Sequence, residues 1–429
     1  MSTEAGILLP DRVFEFCREP QAFLLRMART EGPVAEFRIN DENFAILGEP
    51  EALHAVFNGP QDDYEKGELY ELIEVAFGRS VFTLDGLDWT TLHNVLTPLF
   101  SRARIHGLLP YIQTVVERHL EQWQKLADAG QPIEILTAAK RLAFDAVAGG
   151  LLGIPNDESA DRLFRLLHST DRLEAVRLRY LGKRVPSVSG HFRQNPVYEE
   201  IDRVSFAIAE ARIGAATQND DLIGAAIATP YFEGLEPAEQ IRFIRDLVAS
   251  MLSAGYVTTG ETIFWSLCLL AGHPEAQERA REEAERGGAT PWISAVISET
   301  LRLYPPAWFL GRIARRDVVV TGRRFAAGTR LVCSPYVLHR MSALWTEPDE
   351  FRPERFLPGN RHVPRAYVPF GSGMRACIGR ALALMEISTL LPAALRRFRF
   401  EPVSDAPVVL AGTFSMQPRT LVHLRLESR

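Results

Sequence analysis

Cysteine is scarce in this chain: four in 429 residues, at positions 17, 268, 333 and 377, with no C-x-x-C pair. That scatter excludes a zinc site or a disulfide framework and fits a reducing compartment, the cytoplasm. No excess of one charge sign is present either. Lys plus Arg number 48 against 54 Asp plus Glu, a net charge of −6, which gives no reason to expect nucleic acid or an anionic membrane as partner. The N-terminus reaches Asp11 and Arg12 without an apolar run long enough for a signal peptide or a membrane anchor. Only Leu247 to Gly272 is long and nearly uncharged, with Glu261 its single charge. Gly255, Thr258, Thr259 and Gly260 at its centre are poor lipid-facing choices, so it reads as a helix buried in a protein core. No internal repeat, low-complexity tract or interdomain linker divides the chain, and residues 1–429 read as one large soluble domain. Hydrophobic content of 46% is enough for a large core.

Helical periodicity dominates from about Leu92 to Leu303. Pro110–Ala129, Leu136–Leu152, Ser159–Leu173, Val197–Ile213 and Glu239–Ala271 all carry apolar residues at three- and four-residue spacing. Breakers such as Gly130-Gln131-Pro132, Ile154-Pro155-Asn156 and His273-Pro274 separate them. Strand character precedes this block, in a hairpin of Val34–Ile39 and Phe44–Leu47 about Asn40-Asp41-Glu42-Asn43. It returns afterwards in Val318-Val319-Val320, Gly328 to Val332, Phe398–Phe400 and Leu421–Leu426. The expectation is a mainly α protein with a smaller β region.

One stretch concentrates unusual chemistry: Phe370-Gly371-Ser372-Gly373-Met374-Arg375-Ala376-Cys377-Ile378-Gly379, opening directly onto the apolar helix that starts at Arg380. Glycines at 371, 373 and 379 permit tight turns and close backbone approach to a flat ligand. Arg375 and the following helix N-terminus are expected to favour the Cys377 thiolate. A second constellation is Glu299-Thr300-Leu301-Arg302 on a helix, where i,i+3 spacing lets the charges pair. Phe351-Arg352-Pro353-Glu354-Arg355-Phe356 lies downstream in a proline-rich coil. A third is Trp89-Thr90-Thr91-Leu92-His93, whose ring N–H groups can both donate to a carboxylate.

These segments together resemble the cytochrome P-450 superfamily. The cysteine stretch matches every defined position of its F-x-x-G-x-R-x-C-x-G loop, Glu299 and Arg302 match E-x-x-R, and Pro353 to Phe356 match the later P-E-R-F coil. The resemblance implies the triangular, three-layered P-450 fold, with haem b between the central long helix and the helix after Cys377. It implies Cys377 as axial iron ligand, with Phe370, Gly371 and Gly379 shaping the loop. Glu299, Arg302 and Arg355 become a buried network that holds the loop and is structural. Trp89 and His93 stand where the family has W-x-x-x-R, with His93 in the arginine's place. With Arg375 and with Arg312, which sits in an R-x-A-x-x-D match, they are expected to hold the haem propionates.

The chain departs from the family in the central helix. Ala254-Gly255-Tyr256-Val257-Thr258-Thr259 resembles A/G-G-x-D/E-T-T, with Val257 where a carboxylate normally feeds protons inward. Ala254 and Gly255 are expected to let the helix approach the haem face, and Thr258 to hydrogen-bond dioxygen there. Valine relays no proton, which leaves water, substrate or Glu261 for that task, or a reaction other than simple hydroxylation.

The implied activity is that of a soluble bacterial monooxygenase of secondary metabolism or of lipid or terpenoid oxidation, inserting one oxygen atom from O2. A separate ferredoxin or flavodoxin with its reductase would supply electrons. Desaturation, ring formation, aryl coupling, nitration and peroxide-driven oxidation are the alternatives, with a non-catalytic haem protein behind them. Leu69, Leu72, Phe77, Phe82, Trp308 and Phe309 are candidate pocket walls and point to a mainly apolar substrate. The basic run Arg172, Arg177, Arg179, Lys183, Arg184 and Arg193 reads as a solvated surface loop.

Overall fold

The computed structural model describes residues 15–429 except 17, 40, 68–69, 71–72, 75–76, 181–195, 216–219, 289, 361–362 and 412–414, and it describes residues 171–180 by backbone alone. Its axis is a 36-residue helix, Pro237–Gly272, about 54 Å long at 1.5 Å per residue. Glu236 and Glu239 close a reciprocal capping box at its start, with Pro237 in the first turn. Beyond Leu247 its buried residues point in every direction, as expected of a rod enclosed by other helices. Those neighbours are Ile135–Asp145, Pro196–Ile213, Pro291–Leu303 and Arg380–Arg397. No helix among the described residues is long and apolar enough to cross a membrane.

The β region sits to one side. Five strands run in the order Val34–Ile39, Glu42–Leu47, Arg330–Cys333, Leu310–Ala314, Tyr64–Glu65, with only the Glu42–Leu47 and Arg330–Cys333 pair parallel. A second sheet brings His423–Ser428 between Ile133–Glu134 and Phe398–Pro402. Three apolar clusters follow this division. The largest surrounds the central helix, one lies beneath the five-stranded sheet, and one joins that sheet to the helix Pro20–Thr30.

Two sequence expectations need correction. The hairpin is tighter than expected: Ile39 pairs directly with Glu42, so Glu42 and Asn43 belong to the second strand. The segment expected as one helix, Leu136–Leu152, is α-helical only to Asp145 and continues as a π turn, Ala146–Leu151. Tyr111 lies against that turn at Gly149 and Gly150, where a Cβ on Gly149 would overlap its hydroxyl, and the backbone widens to fit the ring. Two short helices that periodicity did not reveal, Pro20–Thr30 and Pro50–Asn58, each begin with proline. The second supports the cysteine loop.

Candidate active site

The cysteine loop is held by its own backbone. Val368 O accepts from Gly371 N at 3.0 Å, Phe370 O accepts from Cys377 N at 2.9 Å, and Gly373 O accepts from Ala376 N at 3.1 Å. Gly371 and Gly373 have φ of +73° and +69°, a region that glycine enters without strain. Gly373 is also pressed against the Pro50–Asn58 helix, where a Cβ would come within 2.7 Å of Phe57 O. Ser372 Oγ and His54 Nδ1, 2.7 Å apart, hydrogen-bond the same two elements. Gly379, at φ −83°, is in an ordinary conformation. A Cβ there would sit 3.9 Å from the Cys377 sulfur, an ordinary contact, so neither backbone conformation nor protein packing requires glycine at that position.

The electrostatics differ from the sequence expectation. Burial pushes the Cys377 thiol up, against the N–H groups of Gly379 and Arg380 and the Arg380 charge, which pull it down. Arg375 turns away from the sulfur. Its guanidinium pairs with Asp85 at 3.0 Å, donates to Leu84 O and Gln61 Oε1, each at 3.3 Å, and lies 4.3 Å from the Trp89 ring centre. Trp89 in turn stacks on His93, centroids 4.5 Å apart. Guanidinium, indole and imidazole therefore form three layers.

Two more basic side chains lie near Arg375. Arg312, 8% exposed, faces Phe57 with its guanidinium carbon 4.9 Å from the ring centre. With Arg375 it lines a small cleft closed by Phe57, Gln61, Tyr64 and Asp85. Lys66, 7% exposed, donates Nζ to the carbonyls of Val81, Phe82 and Leu84 at 3.2, 2.8 and 2.8 Å. Burial first, then the Arg375 and Arg312 charges, hold Lys66 well below the usual lysine range. Burial likewise lowers Arg375. Asp85 is the carboxylate among these three basic side chains, and its other oxygen accepts from Lys66 N at 2.7 Å. A buried cluster with this positive excess suits a ligand carrying carboxylates. Sequence reasoning missed Lys66, because nothing in a lone lysine tells that the fold buries it.

Glu299 and Arg302 are both fully buried and bidentate, at 2.7 and 2.8 Å. Arg302 also donates to the carbonyls of His339, Pro348 and Glu350 at 2.8, 2.6 and 2.9 Å. Glu299 receives Arg352 N at 2.8 Å and Arg355 Nε at 3.3 Å. Every charge in this triad has partners, the condition under which a buried pair is tolerated.

On the central helix, Ala254 is exposed and Thr258 half-buried. The Thr258 hydroxyl donates to Ala254 O at 2.7 Å, which leaves its oxygen as an acceptor. Gly255 faces elsewhere: a Cβ there would come within 2.8 Å of Val147 Cγ2, so its smallness serves packing on the π turn. Glu261 is fully buried. It pairs with buried Lys140 at 3.5 Å, accepts from Ser415 Oγ at 2.6 Å and accepts from Met416 N at 3.1 Å.

The expected pocket walls are dispersed. Phe77 is buried in the main core and Trp308, 1% exposed, in the cluster with the Pro20–Thr30 helix. Phe309 is half-buried beside Trp308. Phe82 is 45% exposed and meets Tyr70 edge-to-face. Leu69, Leu72, Lys183, Arg184 and Arg193 lie outside the described residues, as do the side chains of Arg172, Arg177 and Arg179.

The cytochrome P-450 family profile matches residues 12–424. The chain belongs to the cytochrome P-450 family. It is 30% identical over 413 residues to cytochrome P-450 137 of Mycobacterium tuberculosis, covering 94% of this chain and 84% of that protein. It is 29% identical to cytochrome P-450 139 of Mycobacterium bovis, covering 91% of this chain and 94% of that one. The crystal structure of a cytochrome P-450, CYP102L1, superposes with a TM-score of 0.80 at 23% identity, covering 96% of this chain and 95% of that one, and establishes the same fold. With the family come haem, a cysteine thiolate as axial iron ligand, and the oxidoreductase chemistry of a monooxygenase, which uses O2, a redox partner and an organic substrate.

Proposed function

We propose that Cys377 is the thiolate ligand and that this P-450 inserts one oxygen atom from O2 into a small, mainly apolar organic molecule, with electrons from a separate ferredoxin or flavodoxin system. The single observation that carries the reading is the built loop around Cys377 beside the buried cluster of Lys66, Arg312 and Arg375. Haem, when bound, would supply O2 activation at its iron, and Cys377 would hold that iron as a thiolate. Arg375, Arg312, Trp89 and His93 bind the propionates, with Arg375 dividing its donors between them and Asp85. Several charge-assisted bonds share two carboxylates, so any one loss weakens haem retention modestly.

One oxygen enters the substrate and the other leaves as water, which consumes two electrons and two protons. Thr258 Oγ1, already donating to Ala254 O, accepts from a water or substrate hydroxyl and holds a proton near the reacting oxygen. Glu261 is committed to Lys140 and the 415–416 turn and takes no part in this route. Val257 favours a second reading, peroxide-driven oxidation, in which hydrogen peroxide brings the two electrons and two protons with it and no reductant is consumed. Product analysis against reductant consumed separates the two.

The deciding experiment is the carbon monoxide spectrum of the reduced protein. The far-red-shifted Soret band of thiolate ligation is expected, and its loss in Cys377→Ala. A histidine-type spectrum from the native protein overturns the assignment and the function with it.

A further inference from the structure

The loop that carries Cys377 and the buried Glu299–Arg302 pair are far apart in sequence, and one side chain joins them. His339 is fully buried. Its Nε2 accepts from Val368 N at 2.9 Å, and its Nδ1 lies 3.1 Å from Arg302 O. Because Val368 N–H is a donor, Nε2 has to be the bare nitrogen. The proton then sits on Nδ1 and is given to the arginine carbonyl. The chain of bonds continues without a gap in the loop: Val368 O to Gly371 N, then Phe370 O to Cys377 N. The arginine returns the contact by donating Nη1 to His339 O at 2.8 Å. Tyr367, stacked on the imidazole with centroids 5.5 Å apart, donates its hydroxyl to Ser298 O at 3.0 Å and ties the same segment to the same helix.

We propose that His339, as a single neutral tautomer protonated on Nδ1, is the positioning residue through which the Glu299–Arg302 pair sets the geometry of the Cys377 loop. The proposal deepens the preceding reading and rests on it for Cys377 as ligand. A protonated ring would face Val368 N–H with a second N–H, so the link exists only in the neutral form. Burial, then the Arg302 charge, lowers this imidazole to about 3, which keeps it neutral at working pH. The groups facing it are Arg302, Arg340, Trp345 and Tyr367, none of them a carboxylate that would favour the charged ring.

The test uses the holoenzyme, reduced and carbon monoxide-bound, in which the iron is diamagnetic. Nitrogen-15 spectra of histidine-labelled protein should show one slowly exchanging imidazole with Nδ1 protonated and Nε2 bare, missing from His339→Gln. If the imidazole signal that disappears in His339→Gln is instead protonated on Nε2, the proposal is overturned; buried His119, whose Nε2 donates to Asp145 Oδ2, remains in that variant and is told apart by it. In parallel, His339→Leu should lose the thiolate-type carbon monoxide band about tenfold faster than the native protein, the low end of what outer partners of a metal ligand contribute. His339→Gln, which keeps a donor and an acceptor, should recover most of that. A His339→Leu protein that holds the band with the native half-life overturns the proposal. If His339→Leu fails to fold, the tautomer decides alone. Absence of the thiolate band in native protein would refute Cys377 as ligand, while the tautomer reading would still judge His339.

Discussion

Two fully buried ion pairs lie at the middle of this protein and are built in opposite ways. Glu299 and Arg302 share one helix, meet through two bonds and are surrounded by backbone acceptors and a third charge, Arg355. Lys140 and Glu261 sit on different helices, and 3.5 Å separates Nζ from the carboxylate. The carboxylate's two short bonds go to the 415–416 turn. The first pair is saturated by its surroundings and serves as a fixed post for the segments around 339–355. The second clamps two helices and a turn. Burial alone therefore does not say what an ion pair is for; the partners do.

The comparison breaks most sharply at Arg302. Arg302→Met leaves the Glu299 carboxylate buried and several carbonyls without donors, a loss of about 3–5 kcal/mol, and should abolish recovery of haem-loaded protein. Little or no Soret absorbance in the purified fraction checks this. The clamp should respond differently. Glu261→Gln should lower stability by about 2 kcal/mol, while Lys140→Met combined with Glu261→Gln should recover about half of that, because no buried charge is left unpaired. Denaturant midpoints of the three proteins measure it, and a strictly additive double variant would show that the two residues are not coupled.

A third carboxyl sharpens the contrast. Glu386 is fully buried on the helix after Cys377, with no hydrogen-bond partner for either oxygen among the described residues. Burial holds its acid well above the usual range. The native state therefore keeps a proton that the unfolded chain releases above about pH 4.3, and stability falls as pH rises from there toward the raised native value. Glu386→Gln removes that loss. Its melting temperature relative to the native protein should rise from pH 5 to pH 8, by about 2 °C; an unchanged difference would mean that Glu386 is ionised in the folded state. The smallest effect on stability belongs to Thr258→Ala, within about 0.5 kcal/mol, yet it should raise the share of reducing equivalents lost as peroxide. Glu261→Gln, once folded, should leave that share unchanged. The reverse ranking would return proton delivery to Glu261.

Legibility in the sequence followed locality. The Cys377 loop, the i,i+3 pair Glu299 and Arg302 and the Trp89–His93 stack depend on spacing within a few residues, and the structure assembles each of them. Arg355 was found because its coil has its own short pattern. Lys66, Lys140 and His339 were not found, since each gains its meaning from carbonyls or carboxylates distant in sequence. For Arg375 the sequence points both to the sulfur and to a propionate; the first fails, because adjacency to Cys377 hides the competing pull of Asp85. Trp308 looked like a pocket wall because aromatic content does not reveal which of several cores claims a ring.

The two glycines of the central helix bear on how this enzyme's substrate range would be altered. At Gly255 and Gly260 any side chain would strike Val147 or the backbone of Lys140, so those positions locate the helix against its neighbours much as dowels locate a machined part. Thr258 lies between them, on a rod whose rotation and height are already set from the opposite side. A library for altered selectivity would therefore do best to vary Ala254, which is exposed, and to leave 255 and 260 untouched. Changes at Ala254 reshape the space in front of the helix, while a side chain at 255 or 260 would push the helix off its neighbours and carry Thr258 with it.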